Sequence, residues 1–202
     1  MALTLNGSNN TIAGVAVGGL PDGIVDNDTI ANTTIAEGKL AAGVNTIQEF
    51  DNWMVNADWS AGAADVTSNW ERMDQVGFNK IGTGLTQSSG IFTFPRTGIW
   101  NIQFGMTYYL GGSAARYVGG HIYVSTNGSG GTFYESATTY TNNYDQSGSN
   151  AYGSTIANYT LDVTNTTNCV CKFRTAASET VTYVGHTTRN CTYATFLRVG
   201  DT

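Results

Sequence analysis

The sequence is poor in charged residues, in proline and above all in lysine. Charged residues make up 12% of the 202 residues, roughly half of the share found in an average globular protein, and lysine occurs only at Lys39, Lys80 and Lys172. Helices with a solvated face need long charged side chains, so this composition excludes a largely helical protein. The 25 glycines and the many Thr, Asn and Ser residues favour strands and tight turns, and we therefore predict an all-β protein.

Positive charge is also scarce, because nine Lys and Arg residues stand against fifteen Asp and Glu residues, for a net charge of −6. This balance argues against nucleic acid or an anionic membrane as a partner, and no apolar run is long enough for a membrane helix. Most acidic residues precede residue 80, so the later part presents a nearly uncharged surface rich in Tyr, Thr and Asn. Such a surface fits a protein exposed on a virion or outside a cell, although an ordinary acidic soluble domain has the same composition.

Cysteine is too rare and too poorly spaced for a disulfide framework. Cys169 and Cys171 are two residues apart on a predicted strand, where they share a face and are poor partners for each other. A metal site built on Cys-x-Cys would need a second ligand pair, which the spacing does not supply. We predict buried free thiols, and neither a metal nor a cofactor. Since the first residues lack the basic and apolar regions of a signal peptide, we expect the chain to mature in a reducing cytoplasm.

In place of charge, the sequence has a long alternation of large apolar and polar residues after Pro95. Successive side chains of a strand point to opposite faces, so the pattern predicts one long strand with a buried aromatic face, preceded by a short strand over 91–94. Ile99 and Tyr109 add apolar surface to the second face, which a homo-oligomer would bury. The residues predicted for this strand, as part of the core and of the trimer, are Trp100, Ile102, Phe104, Met106 and Tyr108.

Short strands separated by turn signals continue to the end of the chain. The first is predicted from Trp53 to Trp59, whereas residues 138–154, rich in Tyr, Thr, Asn, Ser and Gly, are predicted to form long surface loops. About eight to ten strands at this spacing indicate an antiparallel jelly-roll β-sandwich over residues 51–202.

Residues 1–50 differ from this module, since they contain no aromatic residue before Phe50. Short strands around a turn are predicted near Leu5 and Ile12. Beyond them the apolar residues are too widely spaced for an amphipathic helix or a strand of their own, so the segment becomes stable only against identical copies or another protein. We predict an extended arm or shaft, with a flexible leader as the alternative; its contacts would be made by Ile24, Ile30, Ile35 and Leu40.

Catalytic patterns are weak throughout the chain. His121 and His186 are the only histidines, and no Gly-x-Ser-x-Gly elbow accompanies them. A glycan-cleaving site needs two facing carboxylates, for which Glu135 and Asp145 are the candidates that loops would bring together. We expect a protein that is not an enzyme, with hydrolysis of a surface glycan as a third possibility.

Binding is better supported than catalysis. Several tyrosines lie in segments rich in Ser, Gly, Asn and Thr, the composition that protein paratopes use for rigid aromatic contacts and adaptable hydrogen bonds. Tyrosine is also frequent in exposed strands and at oligomer seams, which is the alternative interpretation. The predicted binding residues are Tyr134, Tyr140, Tyr144 and Tyr152.

The order of these features resembles the globular head of complement components and the tumour-necrosis-factor-like cytokines. The matching segments are 90–100, the strand end at 161–164 and the last strand at 195–199. This resemblance implies a ten-stranded jelly roll that assembles as a homotrimer.

The module resembles bacteriophage versions of this fold more closely, through residues 69–72 and 84–95, and residues 20–23 are similar to the virion-attachment regions of phage fibres. The resemblance implies a virion structural protein, a tail fibre or spike whose residues 1–50 dock on other virion proteins of the tail, portal or capsid. The module at residues 51–202 would contact a host-surface glycan or protein. The alternative is a capsid decoration or head-fibre trimer that stabilises the capsid without binding a receptor.

Overall fold

The computed structural model describes the strands at residues 4–6 and 11–13, and residues 47–74 and 80–202 in full. The chain divides into a unit of residues 1–45 and a unit of residues 46–202. In the first unit β1 (Thr4–Asn6) pairs antiparallel with β2 (Thr11–Ala13), at the two positions where short strands are predicted. The predicted arm contacts at Ile24, Ile30, Ile35 and Leu40 lie outside the described residues. In the part that is described, no helix has the length and apolarity needed to cross a membrane.

The second unit is built from two antiparallel sheets. The larger sheet has eight strands among the described residues, and its long central strand pairs with a different neighbour on each side. β13 (Asn150–Val163) pairs along one side of β10 (Gly98–Gly111), and β16 (Tyr193–Gly200) and β15 (Val181–Tyr183) follow one another along its other side. β3 (Phe50–Val55) pairs with β16, β6 (Trp70–Arg72) and β7 (Lys80–Ile81) pair with β3, and β4 (Trp59–Ala61) pairs with β15.

The smaller sheet has six strands among the described residues and covers the inner face of the larger one. In spatial order it contains β12 (Tyr134–Asn143), β11 (Ala115–Ser125), β14 (Val170–Ala177), β9 (Ile91–Thr93) and β8 (Thr86–Ser88), with β5 (Ala64–Asp65) also paired to β14. The all-β fold with two antiparallel sheets is confirmed. The first strand of the module begins at Phe50, one residue before the predicted boundary.

The core lies between the sheets and is dominated by aromatic rings. The five alternating residues predicted for the core strand all lie in β10 and are buried. Phe92 from the smaller sheet stands at the centre: its ring is 5.1 Å from Trp70, 5.4 Å from Phe173 and 5.2 Å from Phe196. Such ring pairs stabilise a core beyond the area that they bury.

A buried carboxylate holds the edge of the larger sheet. Asp51 is fully buried and accepts hydrogen bonds from the Arg72 guanidinium at 2.9 and 3.0 Å, from the Trp53 indole at 3.0 Å and from the Leu85 backbone at 2.8 Å. The guanidinium of Arg72 also lies 4.5 Å from the centre of the Trp53 ring. Because the charge is fully paired, Asp51 ties β3, β6 and the segment before β8 together.

Two of the predicted elements are wrong. The first strand does not run from Trp53 to Trp59: β3 ends at Val55, and Trp59 begins β4, where its ring stacks on Tyr183 at 4.9 Å. Residues 138–154 are not long surface loops, because β12 extends to Asn143 and β13 begins at Asn150. Both strands are rich in Tyr and Thr, which suit strands. Residues 138–154 lie largely exposed, so the hydrophobic alternation that marks a buried strand is absent from this part of the two strands.

The thiols follow the prediction. Cys169 and Cys171 are buried and free, and Cys191 is a free thiol at an intermediate depth. Burial raises the pKa of the Cys171 thiol far above its usual range, which keeps it protonated and unreactive.

Candidate ligand-binding site

The four predicted tyrosines are exposed but do not form one site. Tyr134 and Tyr140 lie in β12, Tyr144 follows that strand, and Tyr152 lies in β13 of the other sheet. Tyr152 packs on Tyr109 with 5.2 Å between the ring centres. Of the four, Tyr140 is the one whose ring belongs to a cluster of aromatic and titratable side chains on the smaller sheet.

A glycine pair in β11 explains how Tyr140 is held. Gly119 pairs with Tyr140 across the sheet, and a Cβ atom at Gly119 would overlap the Tyr140 ring and lie 2.5 Å from the Thr139 carbonyl. A Cβ at the neighbouring Gly120 would instead meet the core side chains of Met106 and Phe104. Gly119 therefore faces outward, and the Tyr140 ring lies flat on its backbone, an aromatic ring covering a strand glycine.

The Tyr140 ring is fixed from two further sides. It meets Tyr117 edge-on, with 5.6 Å between ring centres and an angle of 83°, and it meets the His121 imidazole at 5.4 Å and 82°. Its hydroxyl lies 3.3 Å from Nε2 of His121. Although 54% of the Tyr140 side chain remains exposed, its orientation is set by neighbours on three sides.

A bulge in β11 brings a positive charge to this cluster. Between the pairs Ala115–Asn143 and Val118–Thr141, β11 contains one residue more than β12. Bulges re-aim side chains, and here Arg116 and Tyr117, adjacent in sequence, are both exposed. The guanidinium of Arg116 lies 5.9 Å from the centre of the Tyr117 ring, close enough for a cation–π contact.

A second irregularity places Glu135 beside the same histidine. Ile122 pairs with Ala137 and Tyr123 with Glu135, so β12 has one extra residue, Ser136, at that point. An oxygen of Glu135 accepts a hydrogen bond of 2.9 Å from the Tyr123 hydroxyl and lies 3.2 Å from Nδ1 of His121.

The electrostatics of this corner keep Glu135 ionised. The hydrogen bond from Tyr123 is the largest cause that lowers the pKa of Glu135, and the attraction of His121 adds to it. Burial, with a smaller contribution from the same bond, raises the pKa of Tyr123. His121 is itself buried, and its Nδ1 makes no hydrogen bond of acceptable geometry.

Glu135 and Asp145, the candidate pair for glycan hydrolysis, lie near the start of β12 and beyond its end. Asp145, the proposed partner of Glu135, accepts a hydrogen bond from the Ser147 backbone at the tip of the hairpin. His186 accepts a 3.1 Å hydrogen bond from the Thr188 backbone in a separate loop. Within the described residues, no group of three or more His, Cys, Asp or Glu side chains is arranged to hold a metal ion.

What the arrangement offers is an apolar cleft. Tyr117 and Tyr140 line an open cavity of about 330 Å³, and we call this feature, with Arg116 and His121 beside it, the tyrosine cleft. Sequence reasoning identified Tyr140 but missed Tyr117 and Arg116. The one signal was the Gly119-Gly120 pair inside a strand, which indicates a bulge or a close approach by another group.

A second exposed surface lies on the opposite side of the sandwich, on the outer face of the larger sheet. Ile156 of β13, Gly105 of β10 and Tyr193 of β16 are successive cross-strand partners in one row of this face. A Cβ at Gly105 would lie 2.5 Å from the Tyr193 ring, so this ring also lies flat on a glycine. We call this surface the assembly face; it comprises Ile99, Tyr109, Tyr152, Ile156, Tyr193 and Leu197.

Comparisons with known proteins agree on the fold alone. No protein-family model matches the chain, and no relative is found among curated sequences. Among solved structures, Eiger, a TNF of S. frugiperda, is similar with a TM-score of 0.56 at 8% identity, over 76% of this chain and 93% of that one. Murine APRIL is similar with a TM-score of 0.48 at 12% identity, over 75% of this chain and 98% of that one. The likeness to Eiger shows that the module has a TNF-like jelly-roll fold.

Proposed function

We propose that this chain is a homotrimeric attachment protein of a bacteriophage particle, a tail fibre or spike. Residues 1–50 dock on other virion proteins, and the jelly roll presents the tyrosine cleft to the host surface. The chain is made in the host cytoplasm and becomes exposed on the particle.

The assembly face is the observation that carries this proposal. The interior of the sandwich is already filled by fully buried side chains such as Trp100 and Phe104, so the apolar side chains on the outer face of the larger sheet have no place in this core. Yet Ile156 and Tyr152 are exposed there to 46% and 66%. Apolar side chains left exposed on a sheet face are typical of a surface that identical copies bury.

Three further features support the choice of a trimer on a phage. The fold is the TNF-like jelly roll, and the modules that the sequence resembles assemble as trimers. The closer resemblance, through residues 69–72 and 84–95, is to phage fibre modules. The buried free thiols fit maturation in a reducing cytoplasm.

Two measurements test the proposal. Sedimentation velocity and light scattering of the purified chain at micromolar concentration should give a single species with three times the monomer mass. Electron microscopy of intact particles labelled with an antibody against this chain should then show few copies, confined to the tail or its fibres. A compact monomer in solution, or particles without label, would overturn the proposal.

A cell-binding assay separates the attachment role from capsid decoration. The fluorescent trimer should bind host cells and protect them from infection by the intact particle. Many labelled copies spread over the capsid, together with no cell binding, would favour the decoration trimer instead.

A further inference from the structure

We propose that the tyrosine cleft binds a pyranose ring that carries a carboxylate, a unit of an acidic polysaccharide. This inference rests on the proposed function in one respect, since the host surface would be the source of the saccharide.

The shape of the cleft suits one sugar ring. Its volume of about 330 Å³ lies at the lower end of the range of small-molecule sites, roughly 300–1,000 Å³. Tyr117 and Tyr140 meet at 83°, so they offer one ring face and one ring edge to an apolar surface. The C–H face of a pyranose is such a surface, whereas its hydroxyl groups would remain in water.

The cleft is preorganised. Gly119 lies under Tyr140, and His121 packs against the edge of its ring, so the ring does not have to be ordered when a ligand arrives. Tyrosines fixed in this way supply contact area at a low entropic cost. A bulge before Val118 and the strand glycine Gly119 both lie at the cleft, and bulges are over-represented beside functional sites.

The charge beside the cleft selects an acid. Arg116 is exposed, and its guanidinium forms no ion pair within the described residues. Its backbone N–H donates to Ser178, and Glu179, the next residue, makes no ion pair with it among the described contacts. A guanidinium can hold a carboxylate by two parallel hydrogen bonds. In a chain of net charge −6, an unpaired arginine beside two tyrosines is therefore the feature that distinguishes an acidic sugar from a neutral one.

The nearby carboxylate does not cancel this charge. Glu135 pairs with Tyr123, six residues along β11 from Tyr117, which corresponds to about 20 Å of extended strand. Its oxygens are turned to the Tyr123 hydroxyl and to His121. Among the described contacts, Glu135 thus forms its ion pair with His121 and none with Arg116.

The cleft stays accessible after assembly. It lies on the outer face of the smaller sheet, whereas the assembly face is on the outer face of the larger sheet, on the other side of the core. Three copies joined through their assembly faces would present three clefts to one polysaccharide. Weak single sites would then add up through multivalency.

The test is an NMR titration of the ¹⁵N-labelled trimer with two sugars that differ only at C6, methyl glucuronide and methyl glucoside. Both should shift the amide signals of Gly119 and Gly120, which report on the Tyr140 ring above them. The glucuronide should bind about threefold to tenfold more tightly, the range expected for one exposed charge-assisted contact.

Variants separate the contribution of the Arg116 charge from that of the tyrosine rings. Arg116→Gln should abolish the preference for the glucuronide and leave the affinity for the glucoside unchanged. Tyr140→Ala should weaken both by about tenfold or more, since it removes one of the two ring walls. Arg189→Gln, the same change at another exposed arginine, is the matched control and should keep the preference. The spectrum of each variant shows directly whether it is folded.

The outcomes are distinct. Equal affinity for the two sugars, a preference that survives Arg116→Gln, shifts centred away from Gly119, or no binding of either sugar would each overturn the saccharide inference. The trimer and the particle location would stand in those cases. Conversely, a monomer in sedimentation or particles without antibody label would overturn the proposed function. The sugar titration would still decide what the cleft binds.

Discussion

Replacing Ile156 by Asp should dissociate the proposed trimer without unfolding the jelly roll. Ile156 lies on the outer face of β13, in the row that also holds Gly105 and Tyr193. Its side chain contributes nothing to the core, because the neighbours that face inward from β13 are Ala157 and Leu161. The substitution therefore acts on the assembly face.

The size of the effect follows from the exposed area. Ile156 is 46% exposed in the single chain, and complete burial of such a side chain is worth about 1.5–3 kcal/mol. Burying this exposed part of Ile156 in the interface contributes about 0.7–1.4 kcal/mol per copy to the free energy of association, or roughly 2–4 kcal/mol for three copies. This corresponds to a change of roughly 30-fold to 1,000-fold in the association equilibrium. An unpaired Asp carboxylate in the interface adds the cost of its desolvation.

Sedimentation velocity over a range of concentrations measures this effect, with circular dichroism as the check on folding. The matched control is Tyr134→Asp, which also exchanges an exposed apolar side chain for a carboxylate, but on the smaller sheet. The control should remain trimeric. If Ile156→Asp sediments as the wild type does, or if both variants dissociate equally, the assignment of the assembly face is refuted.

Three further predictions concern the stability of the module and the construction of the cleft. Asp51→Asn should lower the free energy of unfolding by about 3–5 kcal/mol, because it leaves the Arg72 charge without its buried partner; urea denaturation measures this, and a loss below about 1 kcal/mol would contradict it. Burial raises the pKa of Tyr183 to about 12 from 10.0, so the folded state keeps the proton that the unfolded state releases, and stability falls as the pH rises above about 10. When the pH is raised from neutral to about 11, the free energy of unfolding of Tyr183→Phe should therefore fall by about 1.4 kcal/mol less than that of the wild type. If the stability of the two proteins depends on alkaline pH in the same way, the pKa of Tyr183 is not raised. Gly119→Ala should cost about 1–3 kcal/mol, because the added methyl group overlaps the Tyr140 ring and the strand beside it; unchanged thermal stability would show that the ring is not seated on this glycine.

The sequence alone was sufficient for the fold class and for the strand at the centre of the core. The alternation after Pro95 is a property of successive residues, and any strand formed from it must place Trp100 and Phe104 on one face and Ile99 and Tyr109 on the other. The same logic predicted that Cys169 and Cys171 share a buried face. For these residues, the alternation along the sequence is sufficient to predict which face of the strand each side chain occupies.

Residues 138–154, in the hairpin of β12 and β13, were predicted as loops for a physical reason. The two strands lie at the margins of the two sheets, and each leaves much of its surface to solvent. A strand that buries few side chains shows no hydrophobic alternation, so Tyr140 and Tyr152 were read as loop residues. Pairing with β11 and β10 makes these segments strands, and pairing is set by distant parts of the chain.

The tyrosine cleft is likewise a product of the tertiary structure. Composition identified Tyr140 as a contact residue, but nothing local to it says that Gly119 lies beneath its ring, or that a bulge turns Arg116 and Tyr117 outward together. Those relations depend on the register between two strands, and one residue of slippage would separate them. The sequence thus determined which faces are apolar, whereas the register between strands decided which side chains meet on them.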